Sequence, residues 1–169
     1  MSVRAGRIKT VADLLKELSP IIPDDNTFVD SFKRARQTRP RISRYLLLAL
    51  ERAARKDSEP EMVPNDNEDE VNLEHILPRN AKASEWPAFT PEEVPTWANR
   101  LGNHCLLKKS ENTQIGNKPW SKKKAILERS SLRLTKLAGR KRDWTKKEIE
   151  DRQAKLASYA LETWPRRPR

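Results

Sequence analysis

Only two runs in this sequence read as β-strand. Val71 to Leu77 (VNLEHIL) has apolar residues at 71 and 73 and, after a phase change, at 76 and 77, and Pro78 ends it. His104 to Leu107 is the second run, announced by the turn signal Leu101-Gly102-Asn103. Between His75 and Asn103 lie 27 residues, with Trp86, Pro87, Pro91, Pro95 and Trp97 among them. Two short strands make one antiparallel hairpin and no larger sheet, so the rest of the fold must come from helices.

Helical patterns are plentiful. Val11 to Leu18 is a short amphipathic stretch stopped by Pro20, and Asp25 to Gln37 is a second. Ile42, Tyr45, Leu46, Ala49, Leu50 and Ala53 recur at helical spacing after Pro40, which predicts one apolar stripe on a long helix. Thr90 and Glu93, with Pro91 between, form a capping box that should open a short helix. After Pro119 and Trp120 a basic helix is expected from roughly Ser121 to Leu137, ending at Gly139. Thr145 and Glu148 form another capping box, opening a last helix that runs to about Thr163. Trp120, Trp144 and Trp164 flank these helices and read as core anchors rather than base-stacking platforms.

Charge narrows the partner. The net charge is +11, and it is unevenly placed. Residues 1–56 carry +7, residues 57–74 carry −8, residues 75–109 carry +2 and residues 110–169 carry +10. Two basic ends favour a polyanion, whose condensed counterions are released when cationic side chains neutralise phosphates. Arg34, Arg36, Arg39, Arg41 and Arg44 could form a basic arm, but a packing helix with a solvated face is preferred. Residues 57–70 are acidic, hold two prolines and lack periodicity, so they read as a linker; the spacing of a calcium-binding EF-hand loop is absent. The single Cys105 excludes an internal disulfide and a multi-cysteine zinc site. No apolar run approaches the roughly 20 residues of a membrane span, and no secretion signal is apparent, so a cytoplasmic location without membrane association is expected.

Strand, long loop, strand, helix is the order of a ββα metal finger. Phosphodiester hydrolysis on such a finger needs a base for water and a hard cation for the charge on the phosphate and the leaving 3′ oxygen. A neutral histidine suits the first task, and a carboxylate with an amide oxygen suits the second. Glu74-His75 sits on the first strand, where adjacent side chains point to opposite faces. Asn103 stands at the turn into the second strand, where an amide can hold loop backbone or orient the histidine. Asn112 lies nine residues later, at the start of a helix, where its side chain can return to the metal.

The runs EHILP, LGNHCLL and SENTQIGNKPW followed by SKKK resemble the C-terminal nuclease domain of GmrSD-type, modification-dependent restriction enzymes, which belongs to the HNH or His-Me finger nucleases. The resemblance covers roughly residues 40–164, including RISRYLLLALE before the finger and Trp144, Ile149, Arg152, Leu156 and Trp164 after it. It implies that His75 is the general base and Asn103 the central asparagine of a catalytic pair. It implies that Glu74 and Asn112 bind a divalent metal, Mg²⁺ foremost, with Mn²⁺ or another divalent ion as alternatives. Lys108, Lys109, Asn117, Lys118, Lys122, Lys123, Lys124 and Arg129 would then contact DNA, mostly its phosphates. One departure is His104, where the family more often has an apolar residue; it is expected to point away from the site as a packing or surface histidine.

The expected fold is therefore mainly α with a small ββα-metal finger, a two-stranded antiparallel hairpin plus helix, surrounded by helices. Residues 1–56 form an N-terminal helical segment packing on the core, 57–70 a linker, and 71–169 the nuclease core with its C-terminal helices. The expected activity is metal-dependent DNA cleavage or nicking in defence against foreign DNA, leaving 5′-phosphate and 3′-hydroxyl ends. With four glycines and no phosphate-cradling loop, the chain should rely on an N-terminal sensor and nucleotide-hydrolysing domain or a partner subunit. A catalytically inactive DNA-binding module using the same basic helices is the rival reading, and RNA is the alternative substrate.

Overall fold

The computed structural model describes residue 6, residues 8–56 and residues 71–166. The acidic segment 57–70 lies outside the described residues. The helices are α1 (Val11–Leu18), α2 (Asp25–Arg34), α3 (Pro40–Arg55), α4 (Val94–Ala98), α5 (Lys109–Ile115), α6 (Trp120–Arg129), α7 (Arg133–Gly139) and α8 (Lys146–Thr163). The strands β1 (Val71–His75) and β2 (His104–Lys108) pair antiparallel, with His75 opposite His104, Glu74 opposite Cys105 and Leu73 opposite Leu106. The molecule is thus mainly helical around one small hairpin, as the sequence pattern predicts.

The hairpin separates two apolar clusters. Cys105 and Leu107 project into one with Ile115 of α5, Leu127 of α6, Trp86, Phe89 and Trp144. Leu106 projects into the other with Leu47, Leu48 and Leu50 of α3 and Leu156, Ala157 and Ala160 of α8, while Val71 and Leu73 pack against it. Period-2 alternation on β2 feeds both clusters, so the strand is buried on both faces until Lys108.

Capping fixes several helix starts. Thr145 and Glu148 cap α8 reciprocally. Glu93 reaches back to the Thr90 amide at 3.0 Å as expected, although α4 itself starts only at Val94. Pro40 occupies the first turn of α3, where its missing N–H costs nothing.

Two expectations fail. The basic helix is not continuous: α6 ends at Arg129 and α7 begins at Arg133, with Ser130 extended between them. The break lets α7 fold back on α6 so closely that a Cβ on Gly139 would lie 2.3 Å from the Glu128 amide nitrogen. A buried acid stabilises the new helix start. Glu51 accepts from the Leu134 amide at 2.8 Å and from Arg133 N at 2.5 Å, where α7 presents unpaired donors. The α3 stripe is also rotated. Its buried residues are Ser43, Arg44, Leu47, Leu48, Leu50, Glu51 and Ala54, while Ile42 and Tyr45 are exposed. Ser43 and Glu51 turn inward because each meets a buried polar partner, which hydrophobic periodicity cannot register.

Candidate active site

β1 ends at His75, and Asn103 holds the segment after it. Asn103 lies in a 3-10 turn, Leu101–Asn103, and is fully buried. Its Oδ1 accepts from the Leu77 amide at 2.8 Å and from Trp144 Nε1 at 3.0 Å. Its Nδ2 donates to the Leu77 carbonyl at 3.0 Å and the Ala98 carbonyl at 3.1 Å. The backbone adds a bond from the Ile76 amide to the Asn103 carbonyl at 3.0 Å. One amide thereby ties the segment after His75 to α4 and to the tryptophan before α8.

The turn is clamped from behind by α8. Gln153 Oε1 accepts from the Gly102 amide and from Arg100 Nε, both at 3.0 Å. Arg152 Nη1 donates to the Gly102 and His104 carbonyls, both at 2.7 Å. Gly102 is required here, because a Cβ would sit 2.3 Å from the Ile149 carbonyl oxygen.

His104 does not point away from His75. In an antiparallel pair, directly opposite residues share a face. The two rings meet edge to face with centroids 4.4 Å apart. The expectation counted alternation from Asn103, but Asn103 belongs to the 3-10 turn and not to the strand. Nor is His104 on the surface: it is fully buried. Its Nε2 donates to the Ala98 carbonyl at 3.0 Å, which leaves Nδ1 to accept from the Ser43 hydroxyl at 3.1 Å. Both ring nitrogens are spent, so His104 has no lone pair to offer a metal. Burial, followed by the charge of His75, pushes its pKa down to about 3.

His75 is half-buried, and its Nε2 is buried without a hydrogen-bond partner among the described residues. Burial first, then the cations Arg79 and Lys123, lower its pKa to about 4. The ring is neutral at neutral pH.

Glu74 projects to the other face of the hairpin, toward α6. Its Oε1 accepts from Lys123 Nζ at 2.5 Å, and the same ammonium donates to the His75 carbonyl at 2.8 Å. Lys123 is completely buried, and the Glu74 side chain is 16% exposed. Burial raises the Glu74 pKa above the ordinary carboxylate range, and Lys123 opposes that rise without cancelling it. Lys123 therefore does not share the surface with Lys122 and Lys124, its neighbours in the lysine run. Its register carries a signal: it stands four residues before Leu127, on the buried stripe of α6.

The remaining candidate residues lie on and after the hairpin's helix side. Asn112 is half-buried on α5, which packs on β1 and β2. Lys108, Lys109, Asn117, Lys118, Lys122 and Arg129 are exposed and Lys124 is partly so. Lys118 Nζ turns back to the Gln114 carbonyl at 2.5 Å. Trp144 is buried, and Trp120 stacks against it at 5.2 Å, as expected of core anchors.

The donor types suit a hard divalent cation: one carboxylate oxygen of Glu74 remains beyond the Lys123 bond, and Asn112 offers a neutral amide oxygen. No group of three or more His, Cys, Asp or Glu able to hold a metal occurs among the described residues. Water and phosphate oxygens would have to complete any coordination shell. Among the described residues, no helix is long and apolar enough to cross a membrane.

The model of the GmrSD restriction endonuclease C-terminal domain family matches residues 22–159, from just before α2 to near the end of α8. No curated protein and no solved structure gives a significant match. The matched span includes the hairpin, the Asn103 turn, Glu74, His75, Lys123 and the α8 clamp, and leaves α1 outside. The chain therefore belongs to the family of GmrSD restriction endonuclease C-terminal domains.

Proposed function

We propose that the protein is a divalent-metal-dependent DNA endonuclease or nickase of the HNH type, the effector of a restriction system acting against phage DNA. The observation that carries this reading is the Glu74-His75 strand end. Lys123 holds the carboxylate on one face and the buried His104 ring packs against the neutral histidine on the other, inside the span of a restriction endonuclease family. A surface dipeptide with no task would not need such partners.

Proton transfer at His75 would run through Nδ1, because Nε2 is enclosed. The neutral ring can accept a proton from the attacking water, and an approaching phosphate would raise its basicity from the depressed value. His104, fixed in one neutral tautomer by Ser43 and Ala98, buttresses that ring without adding charge. Asn103 is a positioning residue, since its amide is committed within the core. Glu74 and Asn112 would hold the ion. When bound, a divalent cation would stabilise charge on the scissile phosphate and the leaving 3′ oxygen. Lys108, Lys109, Lys118, Lys122, Lys124, Arg129 and Asn117 would position the DNA backbone. Nucleotide hydrolysis and recognition of modified bases are assigned to a separate N-terminal domain or partner subunit, because these residues contain no glycine-rich phosphate loop.

The test is a plasmid-nicking assay in Mg²⁺ or Mn²⁺, run in parallel on duplex DNA, single strands and RNA. The parent should cut duplex DNA, and His75→Ala should lose at least about a hundredfold in rate. Equal rates for parent and variant would remove His75 from the chemistry. Binding without cutting by the parent would favour an inactive DNA-binding module.

A further inference from the structure

The pairing of Glu74 with Lys123 bears on the order in which the site takes up its metal and its substrate. Lys123 is fully buried and its ammonium lies 2.5 Å from Glu74 Oε1, so one formal charge cancels the other inside the protein. The other candidate ligand, Asn112 on α5, is neutral. Glu111, the one acid on α5, commits Oε2 to the Lys108 amide at 3.0 Å. Arg79 adds positive charge beside His75. Among the described residues, a divalent cation approaching Glu74 in the free protein thus meets a carboxylate already neutralised by Lys123. A bound DNA strand changes that, because each phosphate brings a unit of negative charge and oxygen ligands that a hard cation prefers.

We propose that Lys123 is an internal counterion that holds Glu74 in place before the metal arrives and makes metal uptake depend on bound DNA. This inference rests on the reading of Glu74 as a metal ligand. One side chain thereby serves two roles. Its bond to the His75 carbonyl fixes the strand end, and its charge suppresses metal binding in the absence of phosphate. Linkage requires reciprocity: if DNA tightens the metal by some factor, the metal tightens DNA by the same factor.

The experiment titrates Mn²⁺ into the protein and follows the free ion by electron paramagnetic resonance. A His75→Ala background keeps the duplex intact, and the signal of duplex alone is subtracted. With Lys123 present, a short duplex should tighten Mn²⁺ binding about tenfold or more, and Mn²⁺ should tighten duplex binding equally. Adding Lys123→Met should tighten Mn²⁺ binding without DNA by about tenfold or more. Equal Mn²⁺ affinity with and without duplex in the Lys123 protein overturns the proposal, and that comparison decides even if Lys123→Met does not fold. A folded Lys123→Met protein with unchanged DNA-free affinity overturns it as well. Failure of the underlying reading looks different: Glu74→Gln would leave Mn²⁺ binding unaltered even with duplex bound.

Discussion

Replacing Asn103 by alanine should destabilise this protein far more than the loss of a turn residue usually does. The side chain makes four hydrogen bonds, two as acceptor from Leu77 N–H and Trp144 Nε1–H and two as donor to the Leu77 and Ala98 carbonyls. Asn103 is 0% exposed, so water cannot simply replace it. Alanine leaves two buried donors without acceptors, each costing about 1–3 kcal/mol, and strips a donor from two carbonyls. Allowing for partial relaxation, the expected loss is about 3–5 kcal/mol. That is a large share of the roughly 5–15 kcal/mol that domains usually possess. Urea unfolding followed by circular dichroism measures it. Asn103→Asp should be intermediate, keeping the acceptor oxygen while placing negative charge against two carbonyls. Nuclease activity of folded Asn103→Ala, assayed well below its midpoint, should fall because the segment after His75 loses its tether. A stability loss under about 1 kcal/mol combined with abolished cleavage would refute this reasoning and make Asn103 a direct participant in the chemistry.

Other consequences concern the clamp, the buried histidine and the basic surface. Gly102→Ala drives a Cβ to within 2.3 Å of the Ile149 carbonyl oxygen and should cost at least about 2 kcal/mol in a denaturation experiment; a neutral outcome would mean that α8 is not seated as described. His104 titrates at about 3 when folded against 6.5 when unfolded, so the unfolded chain gains a proton first as the pH drops and stability is lost from about 6.5 downward. Between pH 7 and 5 this amounts to about 2 kcal/mol, and His75, lowered to about 4, adds a similar loss over the same range, so His104→Gln should roughly halve the pH dependence; an already flat parent profile would contradict a buried neutral ring. The double variant Lys122→Ala/Lys124→Ala should weaken DNA binding and reduce the logarithmic salt slope by up to about 2, measured by fluorescence anisotropy. An unchanged slope would take α6 off the DNA face.

The secondary structure is largely legible in the sequence because its signals are local. The capping box at Thr145 and Glu148, Pro40 at the start of α3 and the VNLEH and HCLLK runs each announce an element within a few residues. Departures arise where a distant partner overrides a local pattern. Ser130 breaks the basic helix where α7 docks on Glu51, which lies 82 residues from Arg133 in sequence. Ser43 turns inward to meet His104, 61 residues away. At the candidate site, the residue types of the strand end and the turn can be read from spacing. The partners that fix them cannot: Trp144 on Asn103, Arg152 and Gln153 behind the turn, and Lys123 beneath Glu74. Lys123 comes closest to being legible, because helical register singles it out from its two neighbours, but a run of three lysines looks like surface charge until the stripe of α6 is drawn.

The end of β1 and the helix after β2 are proposed to form a single metal-dependent nuclease centre. The most direct measurement is a crystal structure of His75→Ala bound to a DNA duplex and Mn²⁺, with the ion located by anomalous scattering. The expected result is one manganese peak touching Glu74 Oε2, the amide oxygen of Asn112 and a phosphate oxygen, with Lys123 still on Glu74 Oε1. A peak held by other residues, or DNA bound across a face that excludes Glu74, would contradict it.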